Sequence, residues 1–282
     1  MATIPIRHIS TTTGSIGVRR ISDLLGGKTM TQPLHRHDFY YILILDNATG
    51  SHTIDFVSYP VCGRSVFVLR PGQVHALTLK TGSTGYLIEF TRDFYYPNET
   101  SLRQTFQTAT HTPAYRPDKT TLNTLLQITD HMFLEYNQAA TGYTDVLRAC
   151  LNIFLTTLVR LPAKTQPDAT NVYTQQRFDE LSALIEEHVV QHKQSTYYAT
   201  RMNLSAYQLN AITKTITGKT CSAVIDAYIV LEARRHLLAT TDTITTVAHN
   251  LGYDDVSYFT RFFKKHTGYT PEAFRKKFSG VL

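Results

Sequence analysis

The stretch Ile244–Phe278, ITTVAHNLGYDDVSYFTRFFKKHTGYTPEAFRKKF, decides how the rest of the chain is read. Its pattern predicts a short helix from Ile244 to Asn250, a tight turn at Leu251-Gly252-Tyr253, and a longer helix from Asp254 or Asp255 to His266. That is the order of a helix-turn-helix. Gly252 stands where a chain leaving a helix takes positive φ without a Cβ penalty, and either aspartate can cap the next helix. At 100° per residue Phe259, Phe262, Phe263 and His266 share one side, and Ser257, Thr260, Arg261 and Lys264 the other. A helix that enters the major groove needs one face to pack and one to offer hydrogen bonds and charge. Amphipathicity alone would fit a solvated helix of any all-α domain equally well.

An internal repeat separates the two readings. Leu209, Lys214, Thr217 and Gly218 recur fifty residues later as Phe259, Lys264, Thr267 and Gly268, and Ala199 recurs as Ala248, so the second turn holds one extra residue. Asn203 stands in the first copy where Gly252 stands in the second, and Asn is the next residue most tolerant of the left-handed conformation. The same rotation turns Leu209, Ile212, Thr213 and Ile216 inward, and Tyr207, Asn210, Ala211 and Lys214 outward.

The pattern A-x-x-L-G-Y-D-D-x-S-Y-F-T-R-F-F-K-K-H-T-G-Y-T-P-E-A-F-R, at Ala248–Arg275, strongly resembles the signature of AraC/XylS-type transcription regulators. The likeness extends more loosely over Arg177 to Phe278, where such proteins carry two helix-turn-helix units joined by a long helix, here Ser222 to Leu238. The first unit departs from the usual pattern at Ala211 and Thr213. The resemblance implies that Tyr207, Asn210, Ala211, Lys214, Ser257, Thr260, Arg261, Lys264 and Lys265 face double-stranded DNA, with RNA polymerase as a further partner.

At 282 residues the chain has room for two domains, and its 42% hydrophobic composition is ordinary for a globular protein. The net charge of +6 is shared evenly between residues 1–172 and 173–282, so clustering, as in Lys264-Lys265 and Arg275-Lys276-Lys277, marks a nucleic-acid surface better than net charge does. Three widely spaced cysteines, Cys62, Cys150 and Cys221, argue against a disulfide framework or a zinc site and for a reducing compartment. No signal-peptide core and no membrane-length apolar run is present, so the expected location is the cytoplasm.

From Ile4 to about Phe94 short β-rich runs alternate with turn signals: Tyr40–Leu45, Gly50–Val57, Ser65–Leu69, Ala76–Leu79 and Tyr86–Phe90. Such spacing predicts a β-sandwich or barrel. His35-x-His37 and Pro71-Gly72-Gln73-Val74-His75 together resemble the two motifs of a cupin, the small barrel that forms the sensor half of many AraC-type regulators. The Pro-Gly turn should project His75 toward the barrel mouth. His35, His37 and His75, with Tyr40, Arg70 and Glu89, are the candidate lining of a small-molecule pocket. Metal cupins generally add a carboxylate soon after His-x-His, and Tyr40, Tyr41 and Ile42 stand there instead, so neither a metal nor another cofactor is expected.

Helical spacing over Lys119–Tyr136 and Tyr143–Leu161 predicts two helices. They pack on the barrel, or form the antiparallel homodimer seam that the resemblance to AraC-type regulators implies at this position, or do both. Pro162, Pro167 and the tract AKTQPDATN then break the pattern. The expectation is an α+β chain: a cupin-like sensor and dimerisation domain at residues 1–161, a linker at 162–172, and an all-α domain of two helix-turn-helix units at 173–282. Its expected role is sequence-specific transcription regulation in response to a small-molecule effector, without catalysis. The rival is a metal-dependent cupin enzyme with a DNA-binding appendage.

Overall fold

A computed structural model describes residues 5–9, 15–97, 99–161 and 169–278. The chain divides into two compact units, residues 5–165 and, in the main, 166–282. The first holds two five-stranded sheets. One comprises β1 (Ile6–Arg7), β3 (Met30–His37), β5 (Thr49–Ile54), β6 (Val57–Cys62) and β8 (Val74–Leu79), in the order β1-β3-β8-β5-β6. The other comprises β2 (Ile16–Arg20), β4 (Tyr40–Leu45), β7 (Ser65–Leu69), β9 (Gly85–Phe90) and β10 (Ala114–Tyr115), in the order β10-β7-β4-β9-β2. A short helix, α1 (Ile21–Leu25), follows β2.

Side-chain parity assigns each face of the second sheet to a different core. Tyr41, Leu43, Leu45, Phe67 and Leu69 meet Ile54, Leu77 and Leu79 of the first sheet. Ile42, Ile44, Val66, Val68, Ile88 and Phe90 point the other way, into a core completed by Phe106 of α2 (Thr100–His111), Leu122, Leu125 and Met132 of α3 (Lys119–Gln138), and Leu147, Leu151, Phe154 and Leu158 of α4 (Tyr143–Val159). A sheet covered on both faces favours apolar residues at successive positions, which is why YYILIL and, after Ser65, VFVL read as unbroken hydrophobic runs. The two predicted helices therefore pack on the sheet.

The run expected as one strand at Gly50–Val57 is instead a hairpin. Asp55 and Phe56 both take positive φ, 47° and 70°, between β5 and β6, the geometry of a two-residue turn that matches strand twist. The Asp55 carboxylate steadies it by accepting from Gln73 Nε2 at 2.7 Å and from the Val74 amide at 3.2 Å. Strand β3 carries Pro33, and its pairing with β8 shifts register between Gln32 and His35, as expected where a proline removes a ladder donor.

The second unit is all helical: α5 (Ala169–His188), α6 (Ser195–Arg201), α7 (Ala206–Thr217), α8 (Cys221–Ala239), α9 (Ile244–Asn250), α10 (Val256–Thr267) and α11 (Pro271–Phe278). Residues 162–168 of the expected linker lie outside the described residues, and α5 begins at Ala169, four residues ahead of the expected start at Tyr173. The two turns are built alike. The Leu204 amide donates to the Ala199 carbonyl and the Tyr253 amide to the Ala248 carbonyl, each at 2.9 Å. Asn203 has φ 54° and Gly252 φ 70°. Ser205 caps α7 and Asp255 caps α10, so the extra residue of the second copy is Asp254. Both second helices stop at a left-handed glycine, Gly218 and Gly268. Among the described residues no helix is long and apolar enough to cross a membrane.

The two left-handed residues are not equivalent. A Cβ on Gly252 would lie 1.9 Å from the Val190 carbonyl oxygen, whereas Asn203 is exposed. Asn203→Ala is expected to cost about 1 kcal/mol and Gly252→Ala about 3 kcal/mol or more, since only the latter adds a backbone clash to the dihedral cost. Urea unfolding of both variants measures this, and equal losses would refute the inequality.

Candidate functional site

In the second unit α10 is held by its apolar side. Phe259 and Phe263 are fully buried, Tyr253 and Phe262 pack beside them, and the His266 ring lies at the edge of that face, 4.7 Å from the Phe262 ring and 3.6 Å from Asp226. On the opposite side Ser257, Arg261, Lys264 and Lys265 are exposed and Thr260 is half-buried. The Arg261 guanidinium lies 3.9 Å from the Asp255 carboxylate with both largely in solvent, a weak pairing that leaves its fork available. Tyr258, absent from the candidates, is also exposed between them, and its step of one residue from Ser257 and three from Arg261 was the signal available in the sequence.

In α7, Leu209, Ile212 and Thr213 are buried, while Tyr207 is 84% exposed and Ala211 and Lys214 are exposed. Asn210 departs from the expected outward role. It is half-buried, and its side-chain oxygen accepts the Cys221 amide at 2.9 Å, satisfying a free N–H at the start of α8. The repeat explains the difference: fifty residues on, Cys221 becomes Pro271, which has no amide hydrogen, and Asn210 becomes Thr260.

In the first unit a cavity of about 230 Å³ opens between the sheets and β1. Its polar wall is His35, His37, His75 and Glu89, with Arg7, Arg19, Gln32 and Tyr41, and its apolar wall includes Ile21, Met30, Leu77 and Leu87. Four of the six expected lining residues thus converge. The other two do not. Tyr40 has the opposite parity to Tyr41 and stacks on Phe90 and against Phe106 in the helix-covered core. Arg70 donates to His111 Nε2 at 3.3 Å, away from this wall. His75 is buried rather than at the rim, because β8 begins at Val74 and register sets His75 opposite His35.

A fourth histidine, His52 on β5, completes a chain of rings. His37 Nε2 lies 2.7 Å from His75 Nε2, and His75 Nδ1 lies 2.9 Å from His52 Nε2. His35 Nδ1 donates to the Pro33 carbonyl at 2.7 Å. Burial holds all four rings neutral: His35 is brought down to about 4, His37 and His52 to about 3, and His75 is lowered in the same direction. Burial also raises Glu89, while its ion pair with Arg19 pulls the other way. His35, His37 and His75 place ligand nitrogens within 4.8 Å of one another. The set does not fit a carboxylate-completed metal centre as it stands, because Glu89 is engaged by Arg19 and the Nε2 atoms of His37 and His75 are bonded to each other.

Residues 198–277 match a helix-turn-helix domain family. The HTH-type transcriptional activator RhaS of Pectobacterium carotovorum subsp. carotovorum is 24% identical over 253 residues, covering 86% of this chain and 87% of that protein. RhaS of Escherichia fergusonii is 25% identical over 247 residues with the same coverage. The HTH-type transcriptional activator RhaR of Mannheimia succiniciproducens is 23% identical over 251 residues, covering 87% of this chain and 88% of its own.

The neutral histidines fix a pH dependence. Unfolded, each takes a proton near pH 6.5. Folded, His35, His37 and His52 do so only at about 3 to 4. Below pH 6.5 the unfolded chain therefore binds more protons, and stability falls as the solution is acidified. Urea midpoints measured from pH 7 to pH 4.5 should fall, and His52→Gln should make the fall shallower than in the parent. Parallel curves would show that His52 is not a buried neutral ring.

Proposed function

Because the chain is a DNA-binding transcription regulator of the AraC/XylS type, we propose that its two helix-turn-helix units read a two-part site in duplex DNA under the control of a small molecule held in the N-terminal barrel. The observation that carries this reading is the pair of turns with identical backbone bonding, each followed by a capped helix with one buried and one exposed face. Catalysis has no part in it. The helices α7 and α10 would enter successive major grooves, about 34 Å apart along the duplex. Lys214, Lys264 and Lys265 would hold phosphates, while Tyr207, Ser257, Thr260 and Arg261 reach base edges and Ala211 offers a methyl contact. Asn210 is given the smaller role, since its oxygen already serves α8.

The boundaries 1–161, 162–172 and 173–282 stand as proposed sensor, linker and DNA-binding segments, with α5 extending the last toward Ala169. A cavity of about 230 Å³ is smaller than the roughly 300–1,000 Å³ of drug-sized sites, which favours a small metabolite as effector. Histidine and arginine donors beside an apolar wall suit a polar group on a compact carbon frame. Exposed Leu134 of α3 and Ile153 of α4, on helices whose other faces cover the sheet, support a homodimer seam there. A DNA partner supports a cytoplasmic location, which is part of the reading we propose. The relatives' names make them activators, and on that likeness RNA polymerase is the further partner we propose.

Selection of duplexes by the full-length protein should return a preferred two-part site whose affinity falls steeply with salt as phosphate counterions are released. On that site Arg261→Ala is expected to cost about 1–3 kcal/mol and to relax preference at one base pair, as loss of a bidentate guanine contact does. Equal weakening on all four variants of every position would make Arg261 a phosphate contact. For sensing, His75→Ala should shift an inducer dose-response in a reporter strain by about tenfold or more while operator affinity stays within about twofold, the separation expected if the ring binds effector and not DNA. Matching curves for parent and variant would remove His75 from the effector site.

A further inference from the structure

The two helix-turn-helix units are joined through α8, and the second unit packs on that helix, with His266 of α10 3.6 Å from Asp226 and Arg275 of α11 donating to the Leu237 carbonyl. A further tie reaches the second turn from outside α8. Lys193, in the connection between α5 and α6, donates from Nζ to the Val190 carbonyl at 2.9 Å beside it and to the Gly252 carbonyl at 2.7 Å, fifty-nine residues away in the second turn. Its ammonium also lies 4.7 Å from the centre of the Tyr253 ring, within cation–π range. The contact is close enough to dictate sequence. A Cβ on residue 252 would fall 1.9 Å from the Val190 oxygen and 2.7 Å from Nζ, so only glycine lets the turn approach. Partial burial lowers the Lys193 pKa, opposed by the nearby Asp254 carboxylate. The first turn is held from α5 itself, where Arg177 donates to the Met202 carbonyl at 2.5 Å.

We propose that Lys193 is a positioning residue for DNA reading: by bonding the Val190 and Gly252 carbonyls together it fixes the offset between α7 and α10, and with it the half-site spacing the protein accepts. The inference rests on the two-part reading above and adds what sets its geometry. Two recognition helices held at one separation match one helical phase of the duplex, so a site lengthened or shortened by a base pair meets the second helix rotated by about a tenth of a turn. Without the tie, packing on α8 alone restrains the second unit, and a wider range of spacings is tolerated.

Full-length parent and Lys193→Met, which keeps the stem and removes the donors, are compared on the selected site and on versions with one or two base pairs inserted or removed between its halves. Thermal melting confirms the fold, and the salt dependence is measured on each. The parent should lose about tenfold or more per displaced base pair, the size of loss a mismatched contact brings, and Lys193→Met about threefold or less, with an unchanged salt slope. If the parent selects no two-part site, the underlying DNA reading fails. If it does, and Lys193→Met keeps the parent's spacing profile, the proposal fails. Uniform weakening with a salt slope reduced by about one would make Lys193 a phosphate contact and also overturn it. Should Lys193→Met not fold, Lys193→Gln takes its place. Unfolding of both overturns the proposal, because a tie between two formed units can be cut without melting either.

Discussion

A residue with positive φ at position 203, and another at 252, governs what this molecule can do with DNA. The left-handed step reverses the chain sharply enough for the amide of the next residue to bond back into the preceding helix, at Ala199 and at Ala248, while Ser205 or Asp255 is delivered to the cap of the next. With the turn fixed, the apolar rows of α7 and α10 must face inward and their polar rows outward. Presentation of Tyr207 and Arg261 to solvent follows from backbone geometry several residues upstream.

The N-terminal unit obeys a different constraint. Its second sheet is covered on one side by the first sheet and on the other by three helices, so parity within a strand decides between two cores. Tyr40 and Tyr41 show the consequence: adjacent in sequence, they serve the helix-covered core and the cavity respectively. Burial keeps the four histidines uncharged, and uncharged rings can each donate and accept. His37, His75 and His52 therefore bond in a row, while His35 bonds to the Pro33 carbonyl, which presets the polar wall of the cavity.

The two units use their wholly or partly buried polar groups in opposite ways. In the barrel such groups are gathered around an opening. In the helical unit they secure chain ends: Asn210 takes the first amide of α8, Arg275 donates to the Leu237 carbonyl, and Lys193 takes the carbonyl of Gly252. The Arg275 and Lys193 bonds join segments 38 and 59 residues apart, which stiffens the frame on which the exposed residues are carried.

Local chemistry determined most of the helical half. Gly252, the Asn203 substitution, the capping residues and the fifty-residue repeat are short-range signals, and they set the helix limits at Ile244 and Asn250 and the rotation of α10 without any tertiary information. Strands Tyr40–Leu45 and Ser65–Leu69 were equally legible, because unbroken apolar runs of that length suit a doubly covered sheet. Tertiary structure alone decided which of those strands' residues face the cavity, that His52 joins His37 and His75, that Asn210 turns to Cys221, and that Lys193 reaches Gly252. All four depend on register or packing between segments 11 to 59 residues apart. A periodic pattern shows that a strand or helix has two faces; which partner each face meets is fixed only when the other segments arrive.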